Sequence, residues 1–133
     1  MVQLLLVDDN LLVGEALMSY LEEVGFGVHY ASSGRDALEI AQQVPIRLVV
    51  SDIKMPGMDG TTLCRELQRL YDVPIVLMSG YIDEEDAQRM LEAGFAAVLP
   101  KPFLPNELEQ RIRTILDQPT KQRPHATRCV HAQ

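Results

Sequence analysis

Apolar and polar positions along this chain follow two patterns that alternate five times. Short runs of consecutive apolar residues, such as 48–50, are followed by longer segments in which apolar residues recur every three or four positions, as Leu63, Leu67 and Leu70 do. Continuous short runs are typical of parallel strands covered on both faces, and the longer spacing is typical of amphipathic helices. The pattern therefore predicts an α/β protein with a doubly wound parallel sheet. Strands are expected near residues 3–8, 27–31, 47–52, 74–79 and 96–100, and helices near 10–24, 34–43, 60–71, 83–93 and 104–117.

Residues that begin and end helices support these boundaries. Gly25 and Gly94 directly follow two of the helical segments, where glycine commonly ends a helix. Pro105 stands at an expected first helical position, which suits proline because that position needs no N–H donor. Helix-ending and helix-starting residues therefore agree with the boundaries predicted from apolar spacing.

The length of 133 residues fits one domain. Periodicity stops after residue 117, so we expect a domain over residues 1–117 and a linker or tail over 118–133. The apolar runs are far shorter than the roughly 20 residues of a membrane helix, and no basic region precedes an apolar one at the N-terminus. The two cysteines have neither metal nor disulfide spacing. We therefore expect a cytoplasmic protein with no membrane partner.

The charge is unevenly distributed. The net charge is −7, but residues 1–117 hold all 19 acidic residues and nine of the 12 basic ones. Direct nucleic-acid binding requires a basic face. The charge of residues 1–117 therefore argues against a nucleic-acid partner for this domain.

Reactive side chains stand at the ends of four predicted strands. Asp8 and Asp9 follow the first strand, Asp52 ends the third, Ser79 ends the fourth, and Lys101 follows the fifth. Because the carboxyl ends of parallel strands lie at one edge of a sheet, these side chains should converge where such sheets bind ligands. The sequence therefore predicts a single site built from five separate positions.

The chemistry of these side chains suits a divalent metal and a phosphoryl group. Carboxylates are hard oxygen ligands of the kind that Mg²⁺ prefers, and Asp8, Asp9 and Asp52 supply three of them. Asp52 could attack phosphorus to form an acyl phosphate. Lys101 and the Ser79 hydroxyl could then stabilise charge on the phosphoryl oxygens. The interpretation depends on their coincidence, since each residue alone has an ordinary structural explanation.

Four motifs, in order and suitably spaced over residues 3–117, resemble the receiver domain of two-component response regulators. They are Asp8-Asp9, Asp52 followed by Met55-Pro56-Gly57-Met58-Asp59-Gly60, Ser79-Gly80, and Lys101-Pro102-Phe103. The resemblance implies a flavodoxin-like five-stranded sheet with strand order 2-1-3-4-5 and five helices. This order comes from the resemblance and not from the periodicity.

The resemblance also implies a metal site. Asp9 would bind Mg²⁺ directly, with Mn²⁺ as a substitute, and Asp8 would bind it through water. Asp52 and the backbone carbonyl of Lys54 would complete the protein ligands. The Lys101–Pro102 peptide bond is expected to be cis, which proline permits.

The function implied is that of a regulatory phosphoacceptor and not of an enzyme. Asp52 would accept a phosphoryl group from a histidine kinase or phosphotransfer protein, with Ser79 as the switch hydroxyl and Lys101 as the phosphate-binding cation. The domain would assist its own phosphorylation and dephosphorylation. The surface formed by residues 83–117 would then control an output domain, an effector protein or a second copy of the chain.

Two alternatives stay open. A hydrolase that uses an aspartyl phosphate would need a second Asp two residues after Asp52, where this chain has Lys54. A receiver-like module that binds proteins independently of phosphorylation is the other. It gains support from Val98, because the family usually has an aromatic residue three positions before the lysine, and that ring takes part in the usual switch.

Overall fold

Strands and helices alternate through the whole domain. The protein, in a computed structural model, is described at residues 1–53, 60–80 and 83–117. The elements are β1 Gln3–Val7, α1 Leu11–Glu23, β2 Gly27–Ala31, α2 Gly34–Gln43, β3 Leu48–Asp52, α3 Gly60–Tyr71, β4 Ile75–Ser79, α4 Glu84–Glu92, β5 Ala97–Pro100 and α5 Pro105–Asp117. Every predicted element is present, with its ends within one residue of the prediction. Among the described residues, no helix is long and apolar enough to cross a bilayer.

The five strands form one parallel sheet in the order β2-β1-β3-β4-β5. Leu5 in β1 pairs with His29 in β2 and with Val49 in β3. Val49 pairs in turn with Ile75 in β4. This order confirms the flavodoxin-like topology. The strand order reverses beside β1 and β3, and the carboxyl ends of all five strands lie at one edge, where α/β sheets of this kind bind ligands.

Alternate residues of each strand enter two separate apolar cores. In β1, Leu4 and Leu6 pack on one face of the sheet, with buried residues of α1 and α5 such as Leu17 and Ile112. Leu5 and Val7 pack on the other face, with α2 and α3. The strands are therefore apolar at consecutive positions because helices cover both faces of the sheet.

The ends of α1 and α4 have the glycines that the sequence predicts. Gly25 follows α1 with a φ of 109°, and Gly94 follows α4 with a φ of 105°. Side chains with a Cβ rarely adopt such angles, so glycine is favoured at both positions. At the other end of α1, the Asn10 side chain accepts a hydrogen bond from the N–H of Val13 at 3.2 Å. This cap begins the helix directly after the Asp8–Asp9 pair.

Candidate functional site

The predicted site residues of β1, β3, β4 and β5 lie at the same edge of the sheet. Asp52 is the last residue of β3 and pairs with Met78 of β4. Ser79 is the next residue of β4 and is buried. The main-chain N–H of Lys101 donates to the carbonyl of Ser79 at 2.7 Å. The strand register thus places Ser79 beside the strand that carries Asp52, and the main chain of Lys101 beside Ser79.

Three carboxylates form a compact acidic cluster at this edge. One oxygen from each of Asp8, Asp9 and Asp52 lies within 4.8 Å of the others. Asp8 is fully buried, Asp9 is exposed, and the Asp52 side chain is 14% exposed. Mg²⁺ is bound by one or two carboxylates together with waters and phosphate oxygens. The donor set therefore fits a small divalent cation, with an open side at Asp9 for water or a phosphoryl group.

Lys101 bridges two of these carboxylates. Its Nζ lies 3.1 Å from Oδ2 of Asp52 and 3.4 Å from Oδ2 of Asp8. Burial opposes the charge on the ammonium, but the hydrogen bond that it donates to Asp52 and the charges of Asp8 and Asp52 outweigh this effect and raise the pKa of Lys101 above 10.5. The lysine is therefore a cation at neutral pH, held against two carboxylates at the open edge of the sheet. As expected, the Lys101–Pro102 peptide bond is cis.

Asp8 has a perturbed carboxyl group. Burial raises its pKa above 3.8, and the nearby charge of Asp52 raises it further. The N–H of Asn10, which donates to Oδ1 at 2.9 Å, and the charge of Lys101 oppose this shift but do not reverse it. The ionised form of Asp8 is therefore held at an energetic cost, which a bound cation would relieve.

Tyr30 is a contact of the site that the sequence pattern does not reveal. It lies in β2, and its hydroxyl donates to the main-chain carbonyl of Asp8. Burial and the charges of Asp8 and Asp9 raise the pKa of Tyr30 above 10.0, so the phenol keeps its proton. Glycine is unfavourable inside a helix, so Gly14 is the sequence feature that points to a close neighbour there. The Tyr30 ring occupies the space beside it.

Some predicted features lie outside the described residues. They are the Lys54 carbonyl, the loop motif over 55–59, and the linker or tail over 118–133. Val98, at the place where an aromatic residue is usual, pairs with Leu77 in the sheet. Its side chain packs partly buried against the core on the α2 and α3 face. Any coupling between the site and the surface therefore occurs without a ring at position 98.

Comparisons with known proteins agree on one family. The sequence model described as the response regulator receiver domain matches residues 4–113. Among solved structures, a CheY-like receiver domain protein from Methanospirillum hungatei JF-1 has a TM-score of 0.82 and 29% identity, and covers 88% of this chain and 94% of its own. Chemotaxis response regulator CheY4 of Vibrio cholerae has a TM-score of 0.80 and 28% identity, and covers 86% of this chain and 98% of its own.

Curated relatives are longer proteins. The transcriptional regulatory protein BaeR of Escherichia coli O6:H1 is 36% identical over 121 residues, which are 91% of this chain and 50% of that protein. The probable transcriptional regulator ycf27 of Cyanophora paradoxa is 39% identical over 114 residues, which are 86% of this chain and 48% of that protein. The chain thus spans about half the length of the curated relatives it matches.

Proposed function

The chain belongs to the response regulator receiver domain family of two-component signalling, and from this premise we propose that Asp52 accepts a phosphoryl group that switches the domain between two states. The donor is a histidine kinase or a phosphotransfer protein. The observation that carries the proposal is the position of Asp52, whose carboxylate lies 3.1 Å from the Lys101 ammonium and within 4.8 Å of carboxylate oxygens of Asp8 and Asp9. We place the domain at residues 1–117.

The transfer is a displacement at phosphorus. A carboxylate oxygen of Asp52 forms the new bond to phosphorus, the phosphorus–nitrogen bond of the donor's phosphohistidine breaks, and the electron pair leaves with the imidazole, which takes up a proton. Asp8, Asp9 and Asp52 would hold Mg²⁺, which when bound supplies positive charge to the phosphoryl oxygens. We assign the Lys54 carbonyl as a further ligand. Lys101 neutralises another part of the charge, since its Nζ is already within 3.1 Å of the Asp52 carboxylate.

The switch passes through β4 and β5. A phosphoryl group on Asp52 adds oxygens that can accept a hydrogen bond from the Ser79 hydroxyl and attract Lys101. The main chains of Ser79 and Lys101 are joined by a hydrogen bond of 2.7 Å, so a shift of one strand end is transmitted to the other. Because α4 and α5 flank β5, the surface over 83–117 changes with it. With Val98 in place of a ring, we propose that this main-chain link carries the signal.

Exposed leucines stand close in the chain to the site residues. Leu11 and Leu12 are exposed in the first turn of α1, which begins just after Asp9, and the Leu12 side chain is 79% exposed. Leu104, three residues after Lys101, is exposed as well. A phosphohistidine cannot reach Asp52 unless its protein covers the residues around the opening of the site. We therefore propose that the kinase or phosphotransfer protein packs against these three leucines.

The output lies outside residues 1–117. Relatives of about twice this length are named as transcriptional regulators, whereas residues 1–117 carry a strong negative charge. An acidic domain is poorly suited to bind nucleic acid. We therefore propose that it acts through protein contacts of the 83–117 surface, with an output domain, an effector protein or a second copy of the chain.

Labelling with a phosphodonor tests the proposal. Radiolabelled acetyl phosphate with Mg²⁺ should label the wild-type chain, and Asp52→Asn should abolish the label. Asp36→Asn is the matched control, because Asp36 is an exposed carboxylate in the first turn of α2. Equal labelling of the Asp52→Asn variant would assign the acceptor to another residue. If neither acetyl phosphate nor beryllofluoride forms an adduct with the wild type, the binding module independent of phosphorylation is the correct interpretation.

A further inference from the structure

We propose that Tyr30 is a positioning residue for the metal ligands, and that Gly14 is required because it leaves room for the Tyr30 ring. This inference rests on the proposed function, since it assumes that the acidic cluster binds Mg²⁺. It concerns a contact between β2 and the residue after β1, outside the set of metal ligands and phosphate contacts assigned above.

The main chain of Asp8 is held by two consecutive residues of β2. Its N–H donates to the carbonyl of Ala31 at 3.1 Å, and its carbonyl accepts from the Tyr30 hydroxyl. Strand β1 ends at Val7, so Asp8 lies just beyond it. The Tyr30 hydroxyl therefore donates to a carbonyl that lies one residue beyond the end of β1. Both polar groups of the Asp8 main chain are therefore fixed relative to the sheet.

Fixing this carbonyl also orients Asp9. The carbonyl of Asp8 belongs to the planar peptide that joins Asp8 to Asp9, so its direction sets the direction in which Asp9 leaves the strand. On the other side of Asp9, the N–H of Asn10 is held by Oδ1 of Asp8 at 2.9 Å. Asp9 itself is exposed, and lies between two anchored residues. Because Mg²⁺ demands near-ideal octahedral geometry, a rotation of this peptide would misplace a ligand.

Gly14 makes the Tyr30 contact possible. It is a buried residue of α1, in a helix interior where glycine is unfavourable. A Cβ added at Gly14 would lie 2.7 Å from Cζ and 2.9 Å from the hydroxyl oxygen of Tyr30, which is closer than such atoms approach. The ring is the far end of a side chain, so it would move before the helix did. A larger residue at position 14 would therefore displace the hydroxyl from the Asp8 carbonyl.

The competing explanation is that Tyr30 only packs against the core, since its ring contacts the apolar cluster on the α1 and α5 face. Tyr30→Phe keeps the ring and removes the hydroxyl. Tyr20→Phe is the matched control, because the Tyr20 hydroxyl donates to Glu109 at 2.6 Å, between α1 and α5, and not to a site residue. Loss of either hydroxyl removes one hydrogen bond, but only one of the two bonds is made to a metal-ligand residue.

The experiment measures Mg²⁺ affinity by calorimetric titration of the full chain. Tyr30→Phe should bind Mg²⁺ about tenfold more weakly, at the low end of the loss seen when outer partners of metal ligands are removed. Tyr20→Phe should bind it as the wild type does. If the wild type itself binds no Mg²⁺, the proposed function fails, and this inference with it. If the wild type binds and Tyr30→Phe binds equally well, only this inference is overturned.

Gly14→Ala provides a second test that does not depend on the folding of Tyr30→Phe. We expect it to weaken Mg²⁺ binding severalfold, because the displaced ring no longer holds the Asp8 carbonyl. In a Tyr30→Ala background the same substitution should leave Mg²⁺ affinity unchanged, since no ring remains to be displaced. An equal loss of affinity in both backgrounds would overturn the role of Gly14 as space for the ring.

Discussion

Replacing Asp8 by Asn should stabilise the metal-free protein while weakening metal binding. Asp8 is fully buried, and its carboxyl is close to two other carboxylates and to one ammonium. Asparagine is nearly isosteric and keeps an oxygen that can accept the N–H of Asn10, which is bonded at 2.9 Å in the wild type. Lys101 keeps its other partner, Asp52, at 3.1 Å. The substitution therefore removes one charge and leaves no ionic partner isolated.

The expected gain follows from three opposing energies. Coulomb's law with an effective dielectric constant of about 20 gives an attraction of about 5 kcal/mol between Asp8 and Lys101 at 3.4 Å. It gives a repulsion from Asp52 of about 3.5 kcal/mol or more at separations within 4.8 Å. The exposed Asp9 adds a weaker, solvent-screened repulsion. Attraction and repulsion thus nearly cancel, and the desolvation cost, several kcal/mol for a buried ion, decides the sign. Because the ionised carboxylate also gains from the hydrogen bond to Asn10, part of this cost is offset. We expect Asp8→Asn to raise the free energy of unfolding by about 2 kcal/mol.

The gain should depend on pH. Burial, reinforced by the charge of Asp52, raises the pKa of Asp8 in the folded state above 3.8. Protonation therefore favours the folded form, and this stabilising contribution is fully present below pH 3.8 and lost as the pH rises through the folded pKa. The advantage of Asp8→Asn should be absent at low pH, where the wild-type carboxyl is neutral. It should grow as the pH rises to neutral.

Urea denaturation in chelator, across this pH range, measures the difference in free energy of unfolding. Saturating Mg²⁺ should reduce or reverse the difference, because the ion binds the folded wild type more tightly and stabilises it by mass action. Asp36→Asn serves as the control for loss of an exposed carboxylate. It should change neither the free energy of unfolding in chelator nor the stabilisation by Mg²⁺ appreciably. An Asp8→Asn variant that is less stable than the wild type in chelator at neutral pH would refute the balance of energies given above. A gain that does not vary with pH would refute it too.

Three further predictions concern the ligands, the lysine and the core. Asp9→Ala should weaken Mg²⁺ binding at least about tenfold, because it removes a carboxylate that would bind the ion directly; unchanged affinity in a metal titration would show that Asp9 is not a ligand. Lys101→Met should bind Mg²⁺ more tightly, since a cation 3.1 Å from the Asp52 carboxylate is lost, yet accept phosphoryl groups more slowly from acetyl phosphate. Unchanged rates would remove Lys101 from the transfer step. Ile112→Ala creates a cavity in the core between α5 and the sheet. It should lower the free energy of unfolding, measured in urea, by about 2–5 kcal/mol and leave Mg²⁺ affinity unchanged. A loss of affinity there would mean that the site depends on core packing far from it.

The amino-acid sequence determined the elements and the neighbourhood of the site. Apolar spacing is a local property, so strands and helices could be predicted to within one residue. Parallel strands share an edge, so the ends of β1, β3 and β5 could be expected to bring Asp8, Asp52 and Lys101 together, and their side chains are in contact. The strand order could not be predicted from apolar spacing. Periodicity permits several orders, and the observed one was expected only because of the family resemblance.

Tertiary structure alone decided how these similar side chains differ. Asp8 and Asp9 are the same residue type at adjacent positions, yet Asp8 is buried against Lys101 and Asp9 is exposed. The contact of Tyr30 with the Asp8 carbonyl, and the space that Gly14 leaves for it, join elements distant in the chain. Local patterns encode which face of an element is apolar. Distances between side chains of different elements depend on how those faces pack, and that depends on the whole molecule.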